Sequence, residues 1–312
     1  MTSFAFVFPG QGSQAVGMLN AWEGHAAVRE TLAEASDALG EDIGKLIAEG
    51  PKESLDLTTN TQPVMLTAGV ACWRAWLAET GLTPAAVAGH SLGEYSALVA
   101  AGALTLKDAL PLVRFRAQAM QEAVPVGVGG MAAILGLDGE AVKAGCAEAA
   151  AAVGEAVEAV NFNDPKQTVI AGTKAAVEKA CEVLKAAGAK RALPLPVSAP
   201  FHSSLMKPAA ERLKEKLSAT PFAVPAIPVI NNIDVAVVSD ADALRDALYR
   251  QAFGPVRWVE TIQALKSRGH THVIECGPGK VLAGMVKRID AELISTTIFD
   301  PASLAEAKGL LA

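Results

Sequence analysis

Aromatic residues make up only 5% of the 312-residue chain, and its formal charge is −6. Few aromatics beside abundant alanine predict an aliphatic, helix-rich core. A net negative chain also lacks the basic stripe on which a nucleic-acid binder relies. Long unbroken apolar runs are missing too. The uncharged stretch Leu217 to Ile233 contains Pro221, Pro225 and Pro228, which the interior of a membrane-spanning helix would not tolerate. No basic segment followed by a long apolar run stands near the first residues, so nothing there resembles a secretory signal. The four cysteines, Cys72, Cys146, Cys181 and Cys276, are far apart and show no CxxC spacing. That usage points to reduced, mostly buried thiols in a cytoplasmic protein. What is present is 51% apolar and 19% charged residues, enough to bury a sizeable core in one large α/β domain carrying a smaller insert.

The order of short apolar runs and helical patterns gives the architecture. Phe4 to Phe8 reads as a buried strand ending in a tight loop at Pro9-Gly10. A helix-compatible region runs to about Glu49, followed by a long helix from about Thr61 to Glu79, with Pro63 in its first turn. Ala85 to Gly89 is a second strand, and it breaks at Ser91 into an apolar helix, Leu92 to Ala101. Thr105 and Asp108 make a capping-box-like start for a helix to about Glu122. These alternations predict a mostly parallel sheet covered by helices. After the flexible entry Val126 to Gly130 the rhythm becomes strand, helix, strand, strand, helix, strand, ending at Pro194 and Pro196. That βαββαβ order is ferredoxin-like. Residues 127–196 are therefore read as an insert in a large domain formed by 1–126 and 197–312. The large domain resumes with Ile227–Ile230, helices from about Ala241 and Val256, strand His272–Cys276 and the turn Gly277-Pro278-Gly279.

The strongest chemical signal is Gly89-His90-Ser91-Leu92-Gly93, a G-x-S-x-G between strand and helix. A sharp turn there lifts a serine hydroxyl out of the sheet, and the next helix offers N–H groups to a developing oxyanion. Such a nucleophile needs a base, and five histidines are available. His90 adjoins Ser91, so its ring should pack beside the elbow. His25 has no context, and His270 with His272 lacks a third metal ligand. His202 sits where the insert rejoins the large domain, in Ser198-Ala199-Pro200-Phe201-His202-Ser203, the place for an interdomain cleft. No carboxylate stands out as a third member, and a backbone carbonyl could equally orient the imidazole. The loop Gly10-Gln11-Gly12-Ser13-Gln14-Ala15 matches a dinucleotide fingerprint, but Glu34 and Asp37 fall in a helical pattern rather than at a strand end. It reads better as a loop lending backbone N–H groups to a neighbouring site. In the helix from Thr105, Arg116 shares a face with Ala109, Val113, Ala117 and Met120, whereas Arg114 points about 200° away. A guanidinium on an apolar stripe beside a serine elbow suggests a carboxylate-bearing acyl substrate.

Taken in order, the motifs resemble those of the malonyl-CoA–acyl carrier protein transacylases of fatty-acid synthesis, the stand-alone bacterial type. They are Phe8-Pro9-Gly10-Gln11-Gly12-Ser13-Gln14, Gly89-His90-Ser91-Leu92-Gly93-Glu94, Arg114-Phe115-Arg116 followed by Met120-Gln121, Asn161, Pro200-Phe201-His202 and Glu275-Cys276-Gly277-Pro278-Gly279. The resemblance covers nearly the whole chain. It implies a hydrolase-like α/β domain with a ferredoxin-like insert, Ser91 as acylated nucleophile and His202 as base. It also implies that the Gln251 carbonyl orients the histidine, that Gln11 and Leu92 N–H groups form the oxyanion hole, and that Arg116 holds the malonyl carboxylate. Asn161 and Met120 would line the site, and Phe201 resembles the residue found where malonyl is preferred over branched units. The implied partners are malonyl-CoA and a holo acyl carrier protein, which itself carries the phosphopantetheine. No cofactor or metal of the chain's own is expected, nor any nucleic acid or membrane. Since carrier proteins of this family are acidic, Lys185, Lys190 and Arg191 on the insert are the expected docking patch. The elbow chemistry is shared with thioesterases and patatin-like lipases, and a malonyl transferase of malonate decarboxylation or polyketide synthesis would differ only in its carrier.

Overall fold

A computed structural model describes residues 3–197 and 199–311; Ser198, at the junction before His202, lies outside the described residues. Among the described residues nine strands fall into two sheets. The strands are β1 (Phe4–Phe8), β2 (Ala86–Gly89), β3 (Gly129–Leu135), β4 (Val157–Asp164), β5 (Gln167–Thr173), β6 (Arg191–Pro194), β7 (Val229–Ile230), β8 (His272–Cys276) and β9 (Ile294–Ile298). The first sheet has the order β7-β2-β1-β8-β9, and each pairing is parallel. Its central strands β1, β2 and β8 are buried along their whole length, as the inner strands of a parallel sheet covered on both faces are.

The second sheet has the order β4-β5-β3-β6 and is antiparallel throughout. Helices Gly139–Val153 and Lys174–Ala186 pack on one face through Val142, Cys146, Ala180 and Leu184. This is the ferredoxin-like arrangement that the strand and helix rhythm predicts. Its opposite face carries Met131, Val169 and Leu195 toward Phe201 of the large domain. Main chain ties the second sheet to the segment before the helix Trp258–Ser267: Phe162 N–H donates to Val256 O at 3.0 Å, and Val256 N–H donates to Val160 O at 2.8 Å. Arg288 Nε–H adds an ion pair with the buried Asp164 carboxylate at 2.7 Å.

Several boundaries differ from the sequence-based expectation. The long helix spans Thr58–Thr80 and starts a turn earlier than Thr61, so Pro63 lies in its second turn. The Thr61 hydroxyl ties the first turn down, donating to Leu55 O at 2.7 Å and Leu57 O at 3.0 Å. Thr105 caps the helix Leu106–Glu122 as expected, its hydroxyl accepting Asp108 N–H at 3.1 Å. The four cysteines are free thiols. Among the described residues no helix is long and apolar enough to cross a membrane.

The carboxyl edge of the first sheet positions the site. Phe8 and Gly89 are register partners at the ends of β1 and β2, so the loop after Phe8 and the turn after Gly89 leave side by side. Asn231 follows β7 at the same edge, and Gly277 follows β8. Crevices outside the carboxyl ends of parallel strands are where open α/β sheets bind ligands.

Candidate active site

Ser91 sits in the turn between β2 and the helix Gly93–Ala100 with φ of 51°, a left-handed conformation that a residue with a side chain adopts at a cost. Two glycines make this turn possible by close approach. A Cβ on Gly89 would lie 1.9 Å from Gly93 C, and one on Gly93 would lie 2.0 Å from Phe8 O. The strained serine is also held from β7: Asn232 Oδ1 accepts the Ser91 N–H at 2.8 Å, while Asn232 Nδ2 donates to Gly89 O at 2.6 Å. The loop after β1 passes close by. A Cβ on Gly10 would stand 2.6 Å from His90 O and 3.8 Å from Leu92 N, which sets the Gln11 region against the start of the serine helix.

His202 Nε2 is 2.7 Å from Ser91 Oγ, and its Nδ1 is 2.9 Å from Gln251 O. A carbonyl oxygen can only accept, so Nδ1 carries the ring proton. The neutral ring then presents a bare Nε2 lone pair to the serine hydroxyl. Burial, reinforced by the Arg116 charge, lowers the His202 pKa from 6.5 to about 3, so the imidazole is neutral at rest and ready to accept a proton. His202 also has a left-handed φ of 66°. Among the described residues no carboxylate hydrogen-bonds its ring; the orienting group is a main-chain oxygen.

Arg116 is 2% exposed and shares its buried face with Ala109, Val113, Ala117 and Met120, as the helical spacing predicts. Its guanidinium donates to Gln62 Oε1 at 2.9 Å, Gln251 Oε1 at 3.0 Å and Ser91 Oγ at 3.3 Å. It also lies 5.5 Å from the centre of the Tyr95 ring. Its Nε–H has no hydrogen-bond partner among the described residues. The cation is thus dry, adjacent to the nucleophile, and bonded only to neutral groups. Arg114, by contrast, makes a two-bond pair with Glu41 near the surface.

A cleft of about 670 Å³ opens onto these groups. Gln11, Ser91, Leu92, Arg116 and His202 line one side, and Met120, Asn161 and Phe201 also reach it. Gln251 stands behind this wall, fully buried. The other side is apolar, with Met131, Val169 and Leu195 from the second sheet and Val281, Leu282 and Met285 from the large domain. Every residue expected at the site is therefore in this one place.

The remaining histidines lie elsewhere or serve other contacts. His90 turns from the serine toward the second sheet, with Nε2 at 2.8 Å from Asn163 Oδ1 and its ring against Trp258. His25 is 3.4 Å from Glu79. His270 and His272 contact the hydroxyls of Ser3 and Thr271. No cluster of three potential metal ligands occurs among the described residues. Glu34, paired with Arg74, and Asp37 both lie within the helix Ala26–Leu39 rather than at a strand end, so neither fits the acidic position of the dinucleotide reading. Lys185, Lys190 and Arg191 are exposed, with Arg191 at the opposite end of β6 from the cleft-lining Leu195.

Reading the residues in order does not reveal Asn232, Glu94 or Gln62. The position of Asn231-Asn232 just beyond an apolar strand, at the edge where α/β sites form, is the one signal that could have found the asparagine.

Residues 5–297 match the acyl transferase domain family. The chain belongs to this family. This acyl transferase is 53% identical over 308 residues to the malonyl CoA-acyl carrier protein transacylase of Salmonella typhimurium, across 98% of the present chain and 99% of its relative. Its fold matches the acyl-carrier-protein S-malonyltransferase of Burkholderia pseudomallei with a TM-score of 0.97 at 70% identity, covering 98% and 99% of the two chains. A malonyl-transacylase solved in complex with a type II PKS acyl-carrier protein matches this acyl transferase with a TM-score of 0.96 at 50% identity, over 98% and 99% of the chains.

Proposed function

We propose that the protein transfers malonyl groups from malonyl-CoA to the phosphopantetheine thiol of an acyl carrier protein, through a malonyl ester on Ser91. In the first half-reaction the Ser91 hydroxyl gives its proton to His202 Nε2 as Oγ attacks the thioester carbon. The negative oxygen of the tetrahedral intermediate is held by the Gln11 and Leu92 N–H groups, a contact worth about 3 kcal/mol per donor. Collapse breaks the C–S bond, and His202 returns the proton to the departing CoA sulfur. In the second half-reaction the carrier thiol gives its proton to His202 and attacks the ester carbon. The C–O bond breaks, and Ser91 regains its hydrogen. Gln251 O keeps Nδ1 protonated throughout, stabilising the imidazolium that forms and disappears twice.

The observation that carries this reading is Arg116, a buried guanidinium 3.3 Å from Ser91 Oγ without a bonded carboxylate. A carboxylate one methylene beyond the reacting carbonyl is short enough to reach it while the carbonyl sits on the serine. A neutral acetyl group would leave the cation unanswered, a larger loss than a missing apolar contact. Arg116→Ala is expected to lower malonyl transfer at least about a hundredfold while acetyl transfer persists or rises; equal losses on both, read by acylation rates, would remove this role. Asn161, Met120 and Phe201 would shape the wall around the acyl group. Residues 127–196 would act as an inserted domain that closes the cleft against 1–126 and 197–312, with Lys185, Lys190 and Arg191 receiving the carrier. The likeness to a transacylase solved with its carrier supports that partner.

A further inference from the structure

Glu94 lies one residue into the helix Gly93–Ala100 and is 2% exposed, yet it has no part in the transfer steps above. Its Oε2 accepts the Asn232 backbone N–H and the Gln251 Nε2–H, each at 2.9 Å. Both partners lead to the reacting groups. Asn232 spans the serine turn through its side chain. Gln251 donates to Ser91 O at 3.0 Å, accepts from Arg116 Nη2 at 3.0 Å, and holds His202 through its main-chain oxygen. One buried carboxylate thus underlies the nucleophile, the base and the cation.

We propose that Glu94 is a positioning residue that sets acyl specificity, acting through Gln251 as the resting counter-charge of Arg116. The inference rests on the malonyl reading given above. A buried cation with no anion nearby is strongly disfavoured, and Glu94 is linked to Arg116 through Gln251, which donates to the first and accepts from the second. A direct pair would occupy the guanidinium donors and close them to substrate. The Gln251 amide, placed between the two, lets Glu94 offset the charge while only a neutral oxygen, which a substrate carboxylate can displace, bonds the guanidinium from this side. When a substrate carboxylate arrives, two anions share one cation. Their repulsion limits malonyl affinity and eases handover to the carrier.

Two substitutions separate charge from contact. In Glu94→Gln the carboxamide oxygen can accept the same two N–H groups, so only the charge is lost. Glu94→Asp keeps the charge and withdraws it by one methylene. The test is calorimetric binding of malonyl-CoA and acetyl-CoA to Ser91→Ala and to each double variant at about pH 8, where the carboxyl, raised to about 7 by burial, is ionised. Acylation rates are followed in the single variants that keep Ser91. Glu94→Gln is expected to tighten malonyl-CoA binding roughly tenfold and leave acetyl-CoA unchanged. Glu94→Asp is expected to keep the malonyl-to-acetyl affinity ratio while kcat falls about tenfold on both substrates, as the serine and histidine lose their hold. An equal shift for both acyl-CoAs in Glu94→Gln, or none, would overturn the proposal. Should Glu94→Gln not fold, an unaltered kcat or a changed ratio in Glu94→Asp does the same. If Ser91→Ala alone binds malonyl-CoA no better than acetyl-CoA, the malonyl reading itself fails, and the role of Glu94 with it.

Discussion

The His202 ring is held between a hydroxyl and a main-chain carbonyl, and that geometry fixes both its tautomer and its charge. A histidine that folds with its pKa lowered from 6.5 to about 3 binds protons more readily in the unfolded chain. It therefore takes nothing from stability above pH 6.5 and destabilises the fold progressively as the pH falls below that value. The same neutrality governs rate. The acid limb of kcat/KM for Ser91 acylation should lie well below the ordinary histidine value of 6.5, and a limb centred near that value would show a solvated, chargeable base. Ser91, His202 and Arg116 are legible in the sequence because each has a local signature: a glycine-flanked turn, a structured junction, an apolar helical stripe. Asn232 is not, since its bonds join residues 141 and 138 positions apart. Nor can residue types show Gln251 as the histidine's partner, because the contact is made by a main-chain oxygen that every residue possesses; that role comes from resemblance.

At the scale of elements, the site is built where four strand ends meet, and the loop after β8 packs against the loop after β1. A Cβ on Gly277 would stand 3.0 Å from the Pro9 ring. The preceding Glu275 is fully buried and accepts Ala283 N–H at 2.8 Å, capping the helix Val281–Ile289 that borders the cleft. Burial raises its pKa from 4.5 to about 7, opposed by the helix N–H groups. A carboxyl raised on folding takes up a proton as the chain folds. Its contribution is complete below pH 4.5 and is lost as the pH rises through about 7. Glu275→Gln does not titrate, so its unfolding midpoint should gain on the native protein between about pH 5 and about pH 8. A difference that stays constant across that range would contradict this. The fully buried strands Phe4–Phe8 and His272–Cys276 match their sequence reading residue for residue. β9 escapes it because Ile294-Ser295-Thr296-Thr297-Ile298 is an edge strand, half exposed and without the buried run that marks its neighbours. The early start of the helix at Thr58 is hidden for a related reason, since it depends on side-chain bonds to Leu55 and Leu57.

Across the whole molecule the cleft is a joint product of both sheets, with the reacting polar groups at the carboxyl edge of the first and Met131, Val169 and Leu195 facing them from the second. A chain of charge −6 that docks an acidic carrier must do so through a local cationic patch. Reversing Lys190 and Arg191 to glutamate should raise the carrier's KM several-fold, more at low salt, and leave malonyl-CoA acylation unchanged; an unaltered carrier KM would exclude the patch. The central claim, a malonyl ester on Ser91 that awaits a thiol, is tested most directly by the mass of the intact protein after brief mixing with malonyl-CoA. The account predicts a single malonyl adduct, absent in Ser91→Ala and removed when holo carrier protein is added. Continuous CoA release without an adduct would contradict it in favour of a hydrolase, and neither adduct nor release would mean that Ser91 does not react with acyl-CoA at all.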